Sequence, residues 1–340
     1  MRSTPLLGAA VAFAALAPSP ATAAVTPPAP TGPAAVGLIR VTLVDRHRIE
    51  HLAVESGGPR LIPLRVWYPG ARPGRRPAPV FTPAERDTLE TEFGLRPGAL
   101  DGMGSTSTAD APPAPGRHPL LLLSHGFGLT TALHSAQATD LASHGYIVVG
   151  IDHPGDADVV DAGGGRMRHM NPTGIDIREA SFVERVADER FVLGHLGAIA
   201  EAGRVDARRI GAWGHSIGGA TTAQAMLEDR RIRAGVDVDG ALFGSVVDTG
   251  LTRPFGVLIG DFPLDAYEGL DAFRAHSHGP QVFERQGTTG HQGFTDIVWL
   301  VPQLGADPAE FLLGTVDAEV AVAQQRLFLT RFFGQHLPAG

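Results

Sequence analysis

The stretch Arg209-Ile-Gly-Ala-Trp-Gly-His-Ser-Ile-Gly-Gly219 is a short apolar strand that runs into a glycine-rich corner with Ser216 at its tip. It contains the G-x-S-x-G pattern, in which a serine occupies a sharp turn between a strand and a helix. Gly214 and Gly218 leave room for the strand and the helix to pass closely, and the turn holds the serine in a strained conformation. The pattern therefore predicts that Ser216 is a nucleophile.

The helix predicted after this corner, from Ile217 to about Arg230, supports the same interpretation. Its free N–H groups and the positive end of its dipole point back at the turn, where an oxyanion would form. The alternative is an ordinary glycine-rich turn, because a five-residue pattern also arises by chance in a chain with 43 glycines. The strand before the motif and the helix after it favour the nucleophile, since the motif requires that context.

The composition is that of a folded protein with a large core. Hydrophobic residues make up 43% of the 340 residues, enough for one domain or for a domain with a lid. The formal net charge of −8 and the lack of any basic run argue against a nucleic-acid partner. The chain has no cysteine, which excludes disulfides, thiolate catalysis and thiolate zinc sites.

The beginning of the chain predicts export. Residues 1–23 have the features of a secretory signal peptide, with Arg2 near the start, an apolar run and a small-residue cleavage site. The apolar run is shorter than the ~20 residues that a membrane-spanning helix needs, so we expect a secreted protein. Residues 24–36 are rich in Pro and Ala and are expected to form a linker. Residues 37–340 are then expected to form a single domain.

Strands and helices alternate along the rest of the chain. Besides the strand that leads into Ser216, strands are predicted over residues 37–45, 61–69, 118–124, 146–152, 232–239, 255–260 and 281–285. Longer helices are predicted over residues 131–143, 175–202, 217–230 and 317–335. The alternation predicts an α/β fold with a mostly parallel central sheet and helices on both faces.

Residues 70–117 form an insertion rich in Pro and Gly. Within it, Thr82-Pro-Ala-Glu85 has the spacing of a capping box and predicts one short helix that ends near Phe93. The insertion either partly covers the active site or is a surface excursion, and the sequence leaves both interpretations open.

A serine hydroxyl needs a base, and the remaining members of the site should follow it in the order acid, then histidine. His336 lies near the end of the last helix, and His276 and His278 come before the last strand. His291 lies just after that strand, in a glycine-rich loop that can present an imidazole. We predict His291 as the base.

The acid has two candidates. Asp239 ends the strand after the helix that follows Ser216, and Asp261 ends the next strand, which is the more usual position of the acid. Sequence geometry alone does not decide between them. The loop Ser124-His-Gly-Phe-Gly128 follows the third strand and predicts an oxyanion hole made by the backbone N–H groups of Phe127 and Ile217.

Two other groups of residues invite a metal interpretation. They are His153 with Asp156 and Asp158, and His276 with His278. Neither group has three ligands at the spacing of a known metal pattern. We therefore expect catalysis without a metal or other cofactor.

Five segments of the chain are distinctive in order and spacing: Leu123-Ser-His-Gly-Phe-Gly128, Leu141-Ala-Ser-His-Gly-Tyr146, Gly214-His-Ser-Ile-Gly-Gly-Ala220, Ala234-Gly-Val-Asp-Val-Asp-Gly240 and Gly290-His-Gln-Gly-Phe-Thr-Asp296. They resemble the platelet-activating-factor acetylhydrolase family, the plasma-type calcium-independent phospholipases A2. The resemblance implies an α/β-hydrolase fold. It also implies that Asp239 is the acid, together with Ser216, His291 and the N–H groups of Phe127 and Ile217.

The function implied by this resemblance is that of a secreted serine esterase acting on short or oxidised sn-2 acyl esters of phospholipids. One alternative is a general short-chain carboxylesterase or cutinase-like polyester hydrolase, and another is a non-catalytic hydrolase-fold binding protein. The chain departs from the family at Gly240 and Ala241, where bulkier residues are expected, and it lacks an obvious lipid-docking helix. We expect a small-molecule or lipid ester as partner, at most peripheral membrane contact, and a monomer.

Overall fold

The computed structural model describes residues 25–171, 177–305 and 312–339. The predicted signal peptide, residues 1–23, lies outside the described residues. Across these described ranges, no helix is both long enough and apolar enough to cross a membrane.

An eight-stranded sheet forms the centre of the described chain. The described residues contain ten strands: β1 (Ala35–Ile49), β2 (Pro59–Gly70), β3 (Arg117–Ser124), β4 (Ile147–Ile151), β5 (Val159–Asp161), β6 (Met167–His169), β7 (Arg204–His215), β8 (Ile232–Val238), β9 (Phe255–Ile259) and β10 (Gln281–Arg285). The order in the sheet is β1-β2-β4-β3-β7-β8-β9-β10, and β5 and β6 form a separate hairpin. β2 pairs antiparallel with β1 and with β4, and the remaining pairs in the sheet are parallel.

Helices cover both faces of this sheet. They are α1 (Pro83–Glu92), α2 (Ser135–Ser143), α3 (Ile177–Gly194), α4 (Ile217–Glu228), α5 (Val246–Thr249), α6 (Leu270–His276), α7 (Ile297–Leu304) and α8 (Ala318–His336). Leu120 and Leu122 of β3 pack in a cluster with α3 and α4, whereas Leu121 and Leu123 pack in a second cluster with α2 and α8. Successive side chains of a strand point to opposite faces, so the apolar run of β3 is buried on both sides. The predicted α/β architecture is confirmed.

The parallel strands bring their carboxyl ends to one edge of the sheet. β3, β7 and β8 lie side by side there, and β9 and β10 follow β8 in the sheet. Loops at this edge of an α/β sheet are where ligands bind. The segments that carry the predicted site residues follow these strands, so the topology gathers them at one place.

The predicted helix over 175–202 is shorter than expected. α3 ends at Gly194, and Leu196–Ala202 continues as 3-10 turns. His195 has φ −127° and ψ 28°, and its ring nitrogen Nδ1 donates to the carbonyl of Phe191 at 2.8 Å. This carbonyl is the acceptor that the His195 backbone N–H would use in a continuing helix, so the side chain competes with the backbone and the α-helix ends.

The segment predicted as a linker is docked on the domain instead. Val25 is only 2% exposed, and β1 already begins at Ala35. The backbone N–H and the hydroxyl of Thr31 donate to Asp140 Oδ1 at 2.7 and 2.9 Å. Proline-rich composition correctly indicates the lack of a helix or strand over residues 25–34, but it does not reveal an acceptor that lies on α2.

The short helix predicted in the insertion is confirmed as α1. Thr82 Oγ1 accepts from the backbone N–H of Glu85 at 3.4 Å, and Glu85 Oε2 accepts from the backbone N–H of Thr82 at 2.7 Å. Pro83 occupies the first helical position, where no hydrogen-bond donor is needed. The C-terminal half of α1 lines a small cavity with Gly128 of the predicted oxyanion loop. A role of the insertion as a cover stays a prediction.

Candidate active site

Ser216 lies in a strained turn between β7 and α4. Its backbone has φ 57° and ψ −127°, in the region that L-residues rarely adopt. A Cβ atom at Gly214 would collide with the backbone of Gly218, and one at Gly218 would collide with the carbonyl of Ser124. The predicted tight corner with glycines on both sides is therefore confirmed, and it explains why no side chain can replace either glycine.

The structure brings Asp239 and His291 together. His291 Nδ1 lies 2.6 Å from Asp239 Oδ2, and the Asp239 side chain is 0% exposed while that of His291 is 26% exposed. The Ser216 backbone N–H donates to the carbonyl of Val238 at 2.9 Å, which places the serine turn beside the residue that precedes Asp239. The carboxylate thus holds Nδ1 of a partly exposed imidazole at the edge of the sheet where Ser216 lies.

The other candidate acid, Asp261, has no described hydrogen bond to His291. It is exposed in the loop after β9, and its backbone N–H donates to the carbonyl of Thr289 at 2.9 Å. The sequence left Asp239 and Asp261 open, and the described hydrogen bond to His291 belongs to Asp239.

Asp239 is itself fixed by two further donors. The backbone N–H of Gly260 and the hydroxyl of Tyr267 donate to Oδ1 at 2.7 and 2.5 Å. Burial, followed by the negative charge of Asp239, raises the pKa of Tyr267 above its ordinary value, so the hydroxyl keeps its proton and remains a donor. Asp239 also has a positive φ of 56°, so the surroundings hold the acid in an unfavourable backbone conformation.

Sequence reasoning missed Tyr267. It lies 28 positions after Asp239, between a short 3-10 turn and α6, and no local pattern marks it. Its contact depends on how the chain after β9 folds back over β8. Only the presence of a tyrosine soon after β9 could have drawn attention to it.

We expect Tyr267→Phe to lower kcat/KM about tenfold, because a hydrogen bond to a charged group contributes roughly 1.5–3 kcal/mol and only part of that bears on the imidazole. Steady-state kinetics on a p-nitrophenyl ester measures the effect. Tyr68→Phe is the matched control, since its buried hydroxyl also donates at 2.8 Å, but to the carbonyl of Ala111. An equal loss of kcat/KM in the two variants would show that removing any buried tyrosine hydroxyl has this effect, and that the contact of Tyr267 with Asp239 has no special role.

The predicted oxyanion donors lie on two segments that touch each other. Phe127 follows β3, and Ile217 is the first residue of α4. The backbone of Ser124 and His125 packs directly against Gly218, just after Ser216. Neither the Phe127 N–H nor the Ile217 N–H donates to any described residue. Both amides are therefore available to an external acceptor.

His215 supports the backbone of His291. Its Nε2 lies 3.0 Å from the carbonyl of His291, so the ring donates there, and the two rings lie 4.5 Å apart. Burial, followed by the positive charge that His291 would carry, lowers the pKa of His215 well below its ordinary value. His215 is therefore a neutral donor that fixes the segment carrying the predicted base.

A metal could use one group of side chains among the described residues. Ligand atoms of His215, Asp239 and His291 lie within 4.8 Å of one another. In the arrangement described, Nδ1 of His291 is bonded to Asp239 and Nε2 of His215 to a carbonyl. Each imidazole thus uses a nitrogen in a hydrogen bond that holds the site together.

The histidines of the metal interpretation lie elsewhere. His153 is fully buried, with Nδ1 2.9 Å from Asp188 Oδ2 and Nε2 3.0 Å from Ser124 Oγ. His276 Nδ1 donates to the carbonyl of Val247 at 2.9 Å, at the end of α6. Each of these rings already has polar partners from the protein.

A pair of carboxyl groups lies beside the oxyanion loop. Glu92, the last residue of α1, and Asp158, just before β5, line the small cavity next to Gly128. Burial, followed by the negative charge of Asp158, raises the pKa of Glu92 to about 8, and the two groups share a hydrogen bond. At neutral pH the pair therefore retains one proton, which joins the insertion to the loop after β4.

This shared proton makes stability pH-dependent. Folding raises the pKa of Glu92. The stabilisation that its protonated carboxyl group gives to the folded state is therefore fully present below the unfolded pKa of 4.5 and is lost as the pH rises towards about 8. We expect Glu92→Gln, which keeps the hydrogen bond without a charge, to have a Tm above wild type by about 2–4 °C near pH 8 and by little near pH 5. Calorimetry at both pH values measures this. Asp87→Asn, exposed on the same helix, is the control, and an equal shift there would contradict the assignment.

The family is shown by comparison with known proteins. The model of the family described as platelet-activating factor acetylhydrolase, isoform II, matches residues 103–160 and 175–337, more than half of the chain. A probable 1-alkyl-2-acetylglycerophosphocholine esterase of Arthroderma benhamiae is 37% identical over 139 residues, which are 39% of this chain and 34% of that protein. The platelet-activating factor acetylhydrolase of Cavia porcellus is 25% identical over 244 residues, 61% of this chain and 54% of that protein.

These curated relatives are matched over about half of their length or less. A solved structure is similar over nearly its whole length. A ferulic acid esterase from Streptomyces cinnamoneus has 32% sequence identity and a TM-score of 0.82, with 93% of this chain and 94% of that chain covered. This likeness to an esterase confirms the α/β-hydrolase fold implied by the sequence. Together with the family match, it shows that the chain belongs to the platelet-activating factor acetylhydrolase, isoform II, family.

Proposed function

We propose that this protein hydrolyses carboxylic esters through Ser216, His291 and Asp239, by way of an acyl-enzyme. The observation that carries the proposal is the 2.6 Å hydrogen bond between His291 Nδ1 and a fully buried Asp239, beside a serine held at positive φ. The family relationship supports ester hydrolysis, since the named relatives are esterases. A non-catalytic binding protein would have no need for a strained serine or a buried carboxylate on an exposed imidazole.

The hydrogen bond to Asp239 determines how the imidazole works. Because Nδ1 faces a carboxylate, the neutral ring carries its hydrogen on Nδ1 and leaves Nε2 as the base. Nε2 takes the proton of Ser216 as Oγ attacks the ester carbonyl, and the imidazolium then protonates the leaving alcohol. Water attacks the acyl-enzyme in the second half, with the same nitrogen as base. Asp239 stabilises the imidazolium throughout.

The tetrahedral intermediates need donors for a negative oxygen. The N–H groups of Phe127 and Ile217 serve this purpose, and the second lies at the N-terminus of α4, where the helix dipole adds a positive potential. Backbone donors require no reorganisation when charge develops. The two backbone N–H groups can therefore stabilise the tetrahedral intermediate without a hydrogen bond from any side chain.

A serine-directed alkyl fluorophosphonate tests the proposal. We expect one adduct per chain, carried by the peptide that contains Ser216, with loss of esterase activity in proportion to labelling. Peptide mass spectrometry identifies the residue. Full activity after complete exposure to the reagent, or an adduct on another serine, would contradict the proposed nucleophile.

For the substrate we propose a short or oxidised sn-2 acyl ester of a phospholipid. The family match and the names of the curated relatives support this choice. Such an ester presents a short acyl group to the serine and leaves a glycerophospholipid alcohol. Contact with a lipid surface, if needed, would be peripheral.

A second substrate class is favoured by a specific observation. The ferulic acid esterase covers 93% of this chain, a larger share than either curated relative described above covers. If this protein acts as that esterase does, its substrates are soluble short-chain or aromatic esters, or a polyester. Rates on p-nitrophenyl acetate, p-nitrophenyl palmitate, methyl ferulate and a short-chain phosphatidylcholine separate the two classes. We expect the highest kcat/KM on the phosphatidylcholine. A higher kcat/KM on methyl ferulate would contradict the phospholipid proposal and favour the second substrate class.

We also propose that residues 1–23 direct export of the protein. The charged start, apolar run and small-residue site of that stretch support the proposal. Expression of the full chain in a secreting bacterial host, with N-terminal sequencing of the product, tests it. Export with a new N-terminus at Ala24 is expected, and retention of the uncleaved chain in the cell would contradict it.

A further inference from the structure

His125 is a buried histidine that contacts the backbone of the oxyanion loop. It is 0% exposed, directly after β3. Its Nδ1 lies 2.7 Å from the carbonyl oxygen of Gly126, and its Nε2 lies 3.1 Å from the backbone nitrogen of His153. Both ring nitrogens are thus engaged with main-chain groups.

These two contacts determine the tautomer of His125. The backbone N–H of His153 can only donate, so Nε2 must accept. The single hydrogen of the neutral ring is therefore on Nδ1 and is donated to the Gly126 carbonyl. Burial, followed by the positive charge of Arg185, lowers the pKa of His125 well below its ordinary value, and the ring stays neutral.

The Gly126 carbonyl and the Phe127 N–H belong to the same peptide group. That bond is trans, so the carbonyl and the N–H point in opposite directions from one plane. A donor that fixes the direction of the carbonyl consequently fixes the direction of the N–H. The Phe127 N–H donates to no described residue, so no other hydrogen bond of its own orients it.

Arg185 supports the same backbone from α3. Its guanidinium donates to the carbonyl of His125, approaches the carbonyl of Gly126 at 3.4 Å, and pairs with the buried carboxylate of Asp156. Its Nη2 lies 3.3 Å from His125 Nδ1, which carries a hydrogen in this tautomer and cannot accept. Arg185 therefore neutralises and anchors the loop. The Gly126 carbonyl also accepts from the backbone N–H of Leu129 at 3.1 Å, and the shortest bond to it, 2.7 Å, is made by His125.

The oxyanion loop is pressed against the serine turn. A Cβ atom at Gly126 would lie 2.7 Å from His215 Nδ1, and the residues just before it touch Gly218. The loop cannot approach the serine turn further, and rotation of the Gly126–Phe127 peptide would turn the Phe127 N–H away from the oxyanion. The direction of that one peptide plane decides whether the Phe127 N–H is usable.

We propose that His125 is a positioning residue of the oxyanion hole: its Nδ1–H holds the Gly126 carbonyl and thereby aims the Phe127 N–H at the oxyanion. This inference rests on the proposed function. It assigns His125 no contact with the substrate and no proton transfer. Its effect is on how strongly the hole stabilises the transition state, which is expressed in kcat.

Two substitutions of His125 distinguish the roles of its two ring nitrogens. In His125→Asn the side-chain amide occupies the place of Nδ1 and can still donate to the Gly126 carbonyl. In His125→Gln the polar end occupies the place of Nε2, and the Gly126 carbonyl loses its shortest donor while keeping the longer bonds from the Leu129 N–H at 3.1 Å and Arg185 at 3.4 Å. We expect His125→Gln to lower kcat about 10- to 100-fold with KM within about twofold, and His125→Asn to stay within about threefold of wild type.

A transition-state analogue provides a readout that a purely structural role would not change. An alkyl trifluoromethyl ketone adds the serine and forms an oxyanion in the hole. We expect its Ki to rise in His125→Gln by the same factor as kcat/KM falls, and to change little in His125→Asn. Turnover is expressed per labelled Ser216, which removes any fraction of unfolded protein.

His118→Gln is the matched control. His118 lies near the start of β3, the strand that His125 follows, and its Nδ1 also donates to a backbone carbonyl, that of Gly145 at 3.0 Å. We expect wild-type kcat for this variant. A loss of kcat like that of His125→Gln would show a general effect on the strand and overturn the proposal.

The wild type offers a test that needs no variant. Nitrogen-15 NMR of the imidazoles should show His125 with its hydrogen on Nδ1, unchanged between about pH 5 and about pH 9. A hydrogen on Nε2, or a titration in this range, would overturn the inference. Equal kcat in the Asn and Gln variants would overturn it as well, whereas turnover that survives Ser216→Ala would defeat the proposed function itself.

Discussion

Ser216→Ala is expected to lower kcat by roughly 10⁶-fold and to abolish labelling by a fluorophosphonate, because no other group in the turn can form the acyl-enzyme. The strained backbone at φ 57° is a property of the turn and its glycines, so the variant should fold normally. Kinetics on p-nitrophenyl acetate and mass spectrometry of the labelled protein measure the two effects. The residual rate should come only from the oxyanion hole and substrate binding.

Ser245→Ala is the control for this variant. Ser245 is exposed in the loop after Asp239, and its hydroxyl bonds to the side chain of Gln224. We expect wild-type turnover and one adduct per chain. If Ser216→Ala retained more than about a hundredth of the wild-type kcat, the covalent mechanism would be wrong for this protein.

Asp239→Asn is expected to lower kcat by roughly 10⁴-fold, although the side chain keeps its shape. An amide at this position can donate to Nδ1 of His291, which favours the tautomer with hydrogen on Nε2 and removes the base. The imidazolium also loses the buried negative charge that stabilises it. Single-turnover kinetics on p-nitrophenyl acetate, in which acylation releases the coloured product, measures the effect on the chemical step.

Asp261→Asn is the matched comparison, because the two aspartates were both candidates for the acid. Asp261 is exposed and has no described bond to His291, so we expect kcat within about twofold of wild type. The reverse ranking of the two variants would assign the acid to the strand after β8 and weaken the proposed role of Asp239.

Much of the fold could be predicted because it depends on local features. The apolar run of β3 indicated a strand buried on both faces, and the structure places alternate leucines in two clusters. The capping box at Thr82 predicted α1 to within a residue. The helix predicted to reach Ala202 was wrong beyond Gly194, because a ring nitrogen of His195 takes the carbonyl that the helix would need.

The candidate site was only partly predictable. Pattern and chain order singled out Ser216 and His291, and they left Asp239 and Asp261 open until a family resemblance favoured the first. Tyr267 and His125 carry no local signal for their contacts with Asp239 and with the Gly126 carbonyl. Each contact depends on a direction in space, and a one-dimensional pattern contains no such information.

The sequence by itself determined the conformations that follow from sterics and periodicity: the glycine-flanked turn at Ser216, the buried strands, the helix cap at Thr82, and so the α/β architecture. Only the tertiary structure decided which carboxylate meets His291, which hydroxyl holds that carboxylate, and that the proline-rich segment before β1 is docked. The physical reason is that hydrogen bonds act over about 3 Å, whereas the partners here lie up to about a hundred positions apart along the chain. Chain packing brings them together, and local propensity does not specify the pairing.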